Sequence, residues 1–585
     1  MAVDEREVIA VPSAGAVGQT ATVALAALHR ALLIAAVATL AILPTRLAWL
    51  TEPYGVSVDE STYMAMGEVV ARGGVPYVDA LDRKPPGLFW LFAAVGRVMG
   101  PWNIHGVHLF AFGMTALLAL GAALVARRLG GARLGVAAGL LYAVFSGCFS
   151  REIASANAEY PMLILTVLAA GCLLWSRPGE RVARSAAWAL AGAAAAAVGT
   201  LFKQYGALIY APMYLAWAAS MWRADPAGRR SRRAAAAAAA SLAGLALVYV
   251  PVGLWFWRVH AADALWRWAV LDGFGYMGAG WRDRALFADG AYTMLGLAAA
   301  WAPLWLGLAT PTPLRRTGAF RIMLWGGAGA LATAFLSGRY FSHYFVPAAW
   351  FAALLGAAGL RAQWRASRRR RALLVVLTAW SVVFFTTLNA GRDAFYDGWK
   401  FNRARQAQLA AAGQWIRAQV PPGETIAVWG AASQLYVLAQ RGSGTRHIIT
   451  DLVSGRQPGF DSGVSRPVPG ALETFLGDLA RNRPAAFVDT APAGLNDYGH
   501  FPLGRFPRLA AYVQERYAKR ATVGGLDIWL RRPEASRRRA STLPEGSAAR
   551  ITRRRGDTEE RGLSWGKLIP HAGAVRPRSQ QTPTQ

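Results

Sequence analysis

The chain has 585 residues, of which 54% are hydrophobic and 16% charged, against roughly 25% charged in an average soluble chain. That deficit, repeated apolar runs of about 20 residues and 23 tryptophans exclude an ordinary soluble protein and indicate a polytopic membrane protein. The net charge of +30 does not point to nucleic acid, because the basic residues lie in short runs between apolar segments or in the C-terminal stretch, and no nucleic-acid-binding motif accompanies them. The two cysteines, Cys148 and Cys172, sit in or beside apolar runs and read as small buried hydrophobes, not as a disulfide framework or a zinc site.

In chain order, residues 1–20 are polar and small and read as a disordered cytoplasmic tail. The first apolar run, Val23–Leu50, is too long for a signal-peptide core and reads as an uncleaved first membrane helix. The loop 51–103 follows. Within it, Glu60–Arg72 has helical periodicity and is stopped by Gly73-Gly74, while a second surface helix is predicted from Pro85-Pro86 to Val98. Further spans are predicted over Ile104–Val125, Leu134–Phe149, Tyr160–Trp175, Ala186–Phe202, Gly206–Trp222 and Ala234–Trp257. The last four cover Ala291–Leu308, Ile322–Leu336, Tyr344–Leu360 and Ala372–Leu388. Eleven spans put every Arg-rich link on the cytoplasmic side. The same assignment gathers the links around Asp59, Lys84, Glu159, Lys203, Arg339 and His343 on the outer face. Residues 21–390 thus read as a membrane domain.

From 391 to 533 the composition is that of a soluble α/β domain. Helices are predicted over Gln406–Gln419, Ala432–Gln440 and Leu509–Lys519, and strands over Thr425–Trp429, Ala485–Asp489 and Gly525–Arg531. Residues 534–585 are basic, poor in large apolar side chains, and read as a disordered tail.

The stretch Ser57–Trp90 is dense in ionisable groups. A carboxylate at a membrane interface can serve as a general base, since partial desolvation raises its pKa; Asp59 and Glu60 are candidates. Equally, both acids suit the N-terminus of a surface helix. Arg83 and Lys84, just ahead of a helix start at the prolines, could stabilise a departing phosphate or simply touch lipid headgroups. Glu159, at the outer start of a span, should face a cavity or a partner such as Arg151. Lys203, Arg339 and His343 at outer helix ends complete a polar ring, though each alone could be a snorkelling side chain. Tyr63, Tyr77, Asp82 and Tyr344 are candidate cavity residues. No phosphate-binding loop, dinucleotide fingerprint or metal-ligand spacing is present. No cofactor is therefore predicted, and a divalent metal is not indicated.

The Val58-Asp59-Glu60-x-x-Tyr63, Gly74-x-Pro76-Tyr77-x-Asp79 and Asp82-x-Lys84-Pro85-Pro86-Gly87 motifs resemble the first outer loop of bacterial GT-C glycosyltransferases of the protein-mannosyltransferase and aminoarabinose-transferase superfamily. Asn157-x-Glu159-x-Pro161, Lys203-Gln204 and His343-Tyr344-x-x-Pro347 resemble further segments of the same relatives. The resemblance implies a multi-pass enzyme of the plasma membrane whose active site and C-terminal domain are extracytoplasmic. It implies sugar transfer from a polyprenyl-phosphate donor, with inversion, to a glycan, lipid or protein acceptor. Asp59 would be the base, Glu60 its support or an acceptor contact, Lys84 a phosphate ligand and Glu159 a second cavity carboxylate. The second motif carries Glu where some relatives have Asp. The competing reading is a lipid or polysaccharide transporter, against which stand spans nearly free of ionisable residues and the lack of an internal repeat.

Overall fold

The computed structural model describes residues 49–50, 54–147, 154–177, 179–273, 284–336, 338–395, 402–457 and 465–533. Most of the expected first span, the stretches 1–20 and 534–585, Cys148 and Arg151 lie outside them.

The two helices expected in the first loop are α1 (Val58–Ala71) and α2 (Pro86–Met99). Pro86 suits the first turn of α2, where no intrahelical N–H bond is lost. Gly100, at φ 97°, ends that helix. The helical body continues with α3 (Ile104–Gly130), α4 (Ala132–Phe145), α5 (Glu159–Trp175), α6 (Val182–Thr200) and α7 (Gly206–Ala224). Next come α8 (Ala227–Arg258), the short α9 (Ala262–Leu265), a π-helical turn Trp266–Leu271, α10 (Arg284–Ala300) and α11 (Ala302–Ala309). It ends with α12 (Gly318–Leu336), α13 (Val346–Ala366) and α14 (Arg368–Phe395). The eighth expected span is therefore two helices. The break falls at Trp301, whose backbone leaves the helical region (φ −108°, ψ 20°) while Pro303 sits in the first turn of α11.

Among the described residues, six helices are long and apolar enough to cross a membrane, and α2, α4 and α5 are shorter apolar helices. The exposed faces of α8 and α14 carry Leu242, Leu247, Val250, Leu254, Val376, Trp380 and Val383. An apolar surface of that kind on a long helix suits lipid. The helices pack through small residues: Gly135 and Gly139 of α4 lie against the Ala123 and Ala119 carbonyls of α3, and Gly244 of α8 against the Leu190 carbonyl of α6. Close backbone approach of this sort replaces the hydrophobic driving force that lipid cannot supply. The protein is thus a multi-pass helical membrane protein carrying a small sheet domain.

That domain begins with α15 (Arg403–Gln419) and β1 (Ile426–Trp429), followed by α16 (Gln434–Ala439), α17 (Asp451–Ser454) and α18 (Ala471–Asn482). It closes with β2 (Ala486–Asp489), α19 (Pro507–Arg516), β3 (Tyr517–Val523) and β4 (Leu526–Arg531). The sheet order is β1-β2-β4-β3, with β1 and β2 parallel and the other pairs antiparallel. The helix expected to reach Lys519 stops at Arg516. Tyr517 instead opens β3, which turns at Gly524-Gly525, both at positive φ, and pairs back along β4 with Tyr517 opposite Arg531. α18 was not anticipated from the sequence. The sheet is sandwiched by helices, with Trp429, Phe475, Phe487, Leu509 and Val513 in one core.

Candidate active site

Ser57 caps α1. Its Oγ accepts from the Glu60 N–H at 3.1 Å, and the Glu60 carboxylate accepts from the Ser57 N–H at 3.1 Å, the reciprocal arrangement of a capping box. Glu60 is fully buried, takes a third bond from the Ala156 N–H at 2.6 Å, and lies 3.8 Å from His108 Nε2. Burial pushes its carboxyl up to about 7, against the pull of these backbone donors. Glu60, expected beside Asp59 at the reacting centre, is turned into the protein and does not line the cavity. Neighbouring helix residues point about 100° apart, so one opening cannot receive both. Asp59 is the acid that faces it, with its side chain 38% exposed.

The first turn of α1 is also held from the sheet domain. The Val58 carbonyl accepts from Thr62 Oγ1 (2.7 Å), Ser61 Oγ (3.0 Å) and Ser433 Oγ (2.9 Å). Ser433, just ahead of α16, is fully buried and also lies 2.8 Å from both of the other hydroxyls. A second tie joins the Leu81 N–H to the Arg446 carbonyl at 2.8 Å.

Between α1 and α2 the chain turns at Tyr77, which adopts φ 67°. Tyr77 is buried, and its hydroxyl donates to the Lys84 carbonyl at 2.7 Å. Asp82 accepts from the Lys84 N–H at 2.8 Å, shaping the turn that delivers Lys84 to the cavity. Arg83 pairs with Asp272, just beyond the π-helical turn. Gln204 ties the same two segments by donating to the Arg83 carbonyl at 3.2 Å and the Ala269 carbonyl at 2.7 Å. Lys84 Nζ stands 5.7 Å from the ring centre of the buried Tyr63.

Opposite, Glu159 begins α5 and pairs with Lys203, both nearly fully buried. Lys203 lies in the link between α6 and α7. Burial pulls its ammonium below the ordinary lysine value, while the Glu159 carboxylate opposes that shift. Lys203 Nζ also lies 3.9 Å from the ring centre of Tyr344, a cation–π distance. His343 Nε2 is 3.9 Å from Asp59 Oδ2 and 3.9 Å from Glu159 Oε1, between the two carboxylates. Arg339 is buried and donates to Gln457 at 3.2 Å, away from the cavity lining.

These groups surround a cavity of about 770 Å³. Asp59, Asp82, Arg83, Lys84, Lys203, His343 and Tyr344 line it; Glu60, Tyr63, Tyr77, Glu159 and Arg339 stand behind as supports. Sequence reasoning missed Gln204, Asp272 and the sheet-domain residues Ser433, Asp451, Arg456 and Asn496. Gln204 adjoins Lys203 in a motif already singled out; the others belong to no recognised motif, and Ser433 and Arg456 meet Val58 and Asp497 only across long stretches of chain. Among the described residues no cluster of His, Cys, Asp or Glu forms a metal-binding group.

The family model described as dolichyl-phosphate-mannose-protein mannosyltransferase matches residues 83–270. An undecaprenyl phosphate-alpha-4-amino-4-deoxy-L-arabinose arabinosyl transferase of Pseudomonas aeruginosa is 31% identical over 218 residues, 36% of this chain and 37% of that protein. The match therefore spans little more than a third of the relative's length. Two solved structures of ArnT from Cupriavidus metallidurans align at a TM-score of 0.56. The apo form has 15% identity and covers 86% of this chain and 98% of its own; the form bound to undecaprenyl phosphate has 17% identity and covers 85% and 97%. At that identity the likeness is one of fold, and it extends over both the helical body and the sheet domain. The chain thus shares the fold of these ArnT structures, and its residues 83–270 match the mannosyltransferase family model.

Proposed function

We propose that the protein is a membrane glycosyltransferase that moves a sugar from a polyprenyl-phosphate donor to an acceptor hydroxyl or amine, with Asp59 as general base. One observation carries the reading: an accessible carboxylate, Asp59, shares one cavity with the ammonium group of Lys84. Transfer requires a base for the acceptor proton and positive charge where the phosphate departs. In the step, the acceptor oxygen or nitrogen bonds to the anomeric carbon as the bond from that carbon to the phosphate oxygen breaks. The acceptor proton goes to Asp59, and the electron pair leaves with the phosphate, whose charge Lys84 balances. Attack from the face opposite the phosphate inverts the anomeric centre.

Lys203 is already neutralised by Glu159, so its role is to hold Glu159, Tyr344 and His343 in register, and Lys84 is the principal phosphate ligand. The undecaprenyl phosphate bound by the ArnT neighbour suggests a donor carrier of that class. Eleven spans would put the cavity and the sheet domain on the extracytoplasmic side of the plasma membrane, where nucleotide sugars are normally absent. Asp59→Asn should abolish transfer from radiolabelled polyprenyl-phosphate sugars in membranes while leaving insertion and thermal stability intact. Wild-type rates in that variant would remove Asp59 from the mechanism.

A further inference from the structure

The sheet domain supplies six of the residues lining the cavity, and three of them carry polar side chains: Asp451, Arg456 and Asn496. Their position follows from the topology. The parallel strands β1 and β2 both run out at this end, β1 through Gly430 into Ala431, β2 through Thr490 and a 3₁₀ turn towards Asn496. In open sheets, ligands lie beyond the carboxyl ends of parallel strands. Asn496 Nδ2 donates to the Ala431 carbonyl at 2.6 Å, closing one strand end on the other.

Asn496 and Asp497 both adopt left-handed backbone conformations, φ 49° and 66°. Such residues cost free energy that the surroundings must offset. The buried Arg456 does so: its Nη2 donates to Asp497 at 3.1 Å and its Nη1 to Asp451 at 3.0 Å. Asp451 accepts in addition from the buried Tyr498 hydroxyl at 3.1 Å. Arg456 thus bridges Asp451 and Asp497, and the two charges that line the wall, Asp451 and Arg456, cancel, leaving it polar without net charge.

This composition selects a ligand. A phosphate or carboxylate meets no unbalanced positive charge on this wall, because Asp451 already pairs with Arg456. An apolar group would desolvate the fixed polar atoms and return no hydrogen bonds. Neutral sugar hydroxyls satisfy both sides, donating to remaining carboxylate lone pairs and accepting from the amide and guanidinium. A lipid-linked donor must keep its phosphate at the membrane, beside Lys84. An open four-stranded sheet cannot lie in hydrocarbon, so its strand ends meet the part of the cavity away from the lipid. We propose that Asp451, Arg456 and Asn496 form an acceptor subsite for a neutral saccharide. This rests on the glycosyl-transfer reading, and it narrows the acceptor to a glycan.

The test uses the purified full-length protein in detergent with two calorimetric titrations. One probe is undecaprenyl phosphate; the other is a panel of neutral pentose and hexose trisaccharides, each with a uronate-bearing counterpart. The wild type should bind a neutral trisaccharide more tightly than its charged counterpart. Asp451→Asn, which keeps shape, and Asn496→Gly, which keeps the left-handed backbone, should each weaken that binding about tenfold, the worth of one good hydrogen bond. Undecaprenyl phosphate binding should not change. Unchanged trisaccharide affinity in both variants, preference for the charged ligands, or no binding of any neutral member would each overturn the subsite. Failure of the wild type to bind undecaprenyl phosphate would overturn the donor reading instead, leaving the saccharide arm to decide the subsite.

Discussion

Adjacent acids on α1 have different chemistry because one faces space and the other faces backbone N–H groups. Asp59 lines the cavity, whereas Glu60 fastens the helix start to the segment before α5. The Ser57-x-x-Glu60 spacing already carried this information, since it is the sequence signature of a capping box. The sequence reading weighs capping and catalysis equally for both acids; what it lacks is which acid takes which role. Glu60 also gives the fold a pH dependence. Its carboxyl rises from the ordinary 4.5 to about 7, so between those values the folded state holds a proton that the unfolded chain has released. The contribution of Glu60 to stability is therefore greatest below pH 4.5 and falls as pH climbs towards 7, by on the order of 3 kcal/mol. Thermal unfolding of detergent-solubilised protein from pH 5 to 8 should show this decline, and Glu60→Gln should reduce its slope, leaving the smaller share of the buried Asp489, whose carboxyl burial pushes up to about 6. An equal slope in both proteins would assign the dependence to other groups.

At the scale of elements, α1 and α2 act as a pair. A Cβ on Gly67 would come within 2.5 Å of the Phe92 carbonyl carbon and 2.7 Å of the Ala93 nitrogen. Backbone atoms cannot rotate aside, so Gly67→Ala must separate the helices. The expected cost is about 1–3 kcal/mol, with a fall in kcat exceeding any change in KM, because α1 carries Asp59 and α2 begins beside Lys84. Steady-state kinetics together with thermal unfolding would check both effects. The apolar runs and loop prolines made these helices legible beforehand. Where a boundary was missed, a tertiary partner decided it. Tyr517-Ala518-Lys519 continues the helix predicted from Leu509, yet β4 recruits it into a strand across Gly524-Gly525. At the break, where Pro303 acts locally, the Trp301 indole also donates to the Phe145 carbonyl at 3.1 Å, a contact that local sequence does not encode.

At the scale of the whole molecule, the sheet domain and the helical body form one site rather than an enzyme with an appendage. Ser433 reaches the first turn of α1 from across the chain, and sequence reading had no route to it. In a variant lacking Cys148 and Cys172, Ser61→Cys with Ser433→Cys should form an intramolecular disulfide on mild oxidation, detected by mass spectrometry of the digested protein. Retained transfer in the cross-linked form would mean that this junction stays closed through turnover; its abolition, reversed by reductant, would mean that the junction opens.

The long helix α8 has a further consequence. Its apolar stretch Ala234–Trp257 measures about 36 Å at 1.5 Å per residue, against a hydrocarbon thickness of roughly 30 Å. It must lean or thicken the surrounding bilayer. Near the Trp257 end, Phe256 packs 5.8 Å from Tyr77 and 6.2 Å from Trp90, and Tyr77 holds the Lys84 carbonyl. Membrane thickness therefore bears on the turn that carries Lys84. In liposomes of increasing acyl-chain length the transfer rate should pass through a maximum, and Phe256→Ala should blunt it.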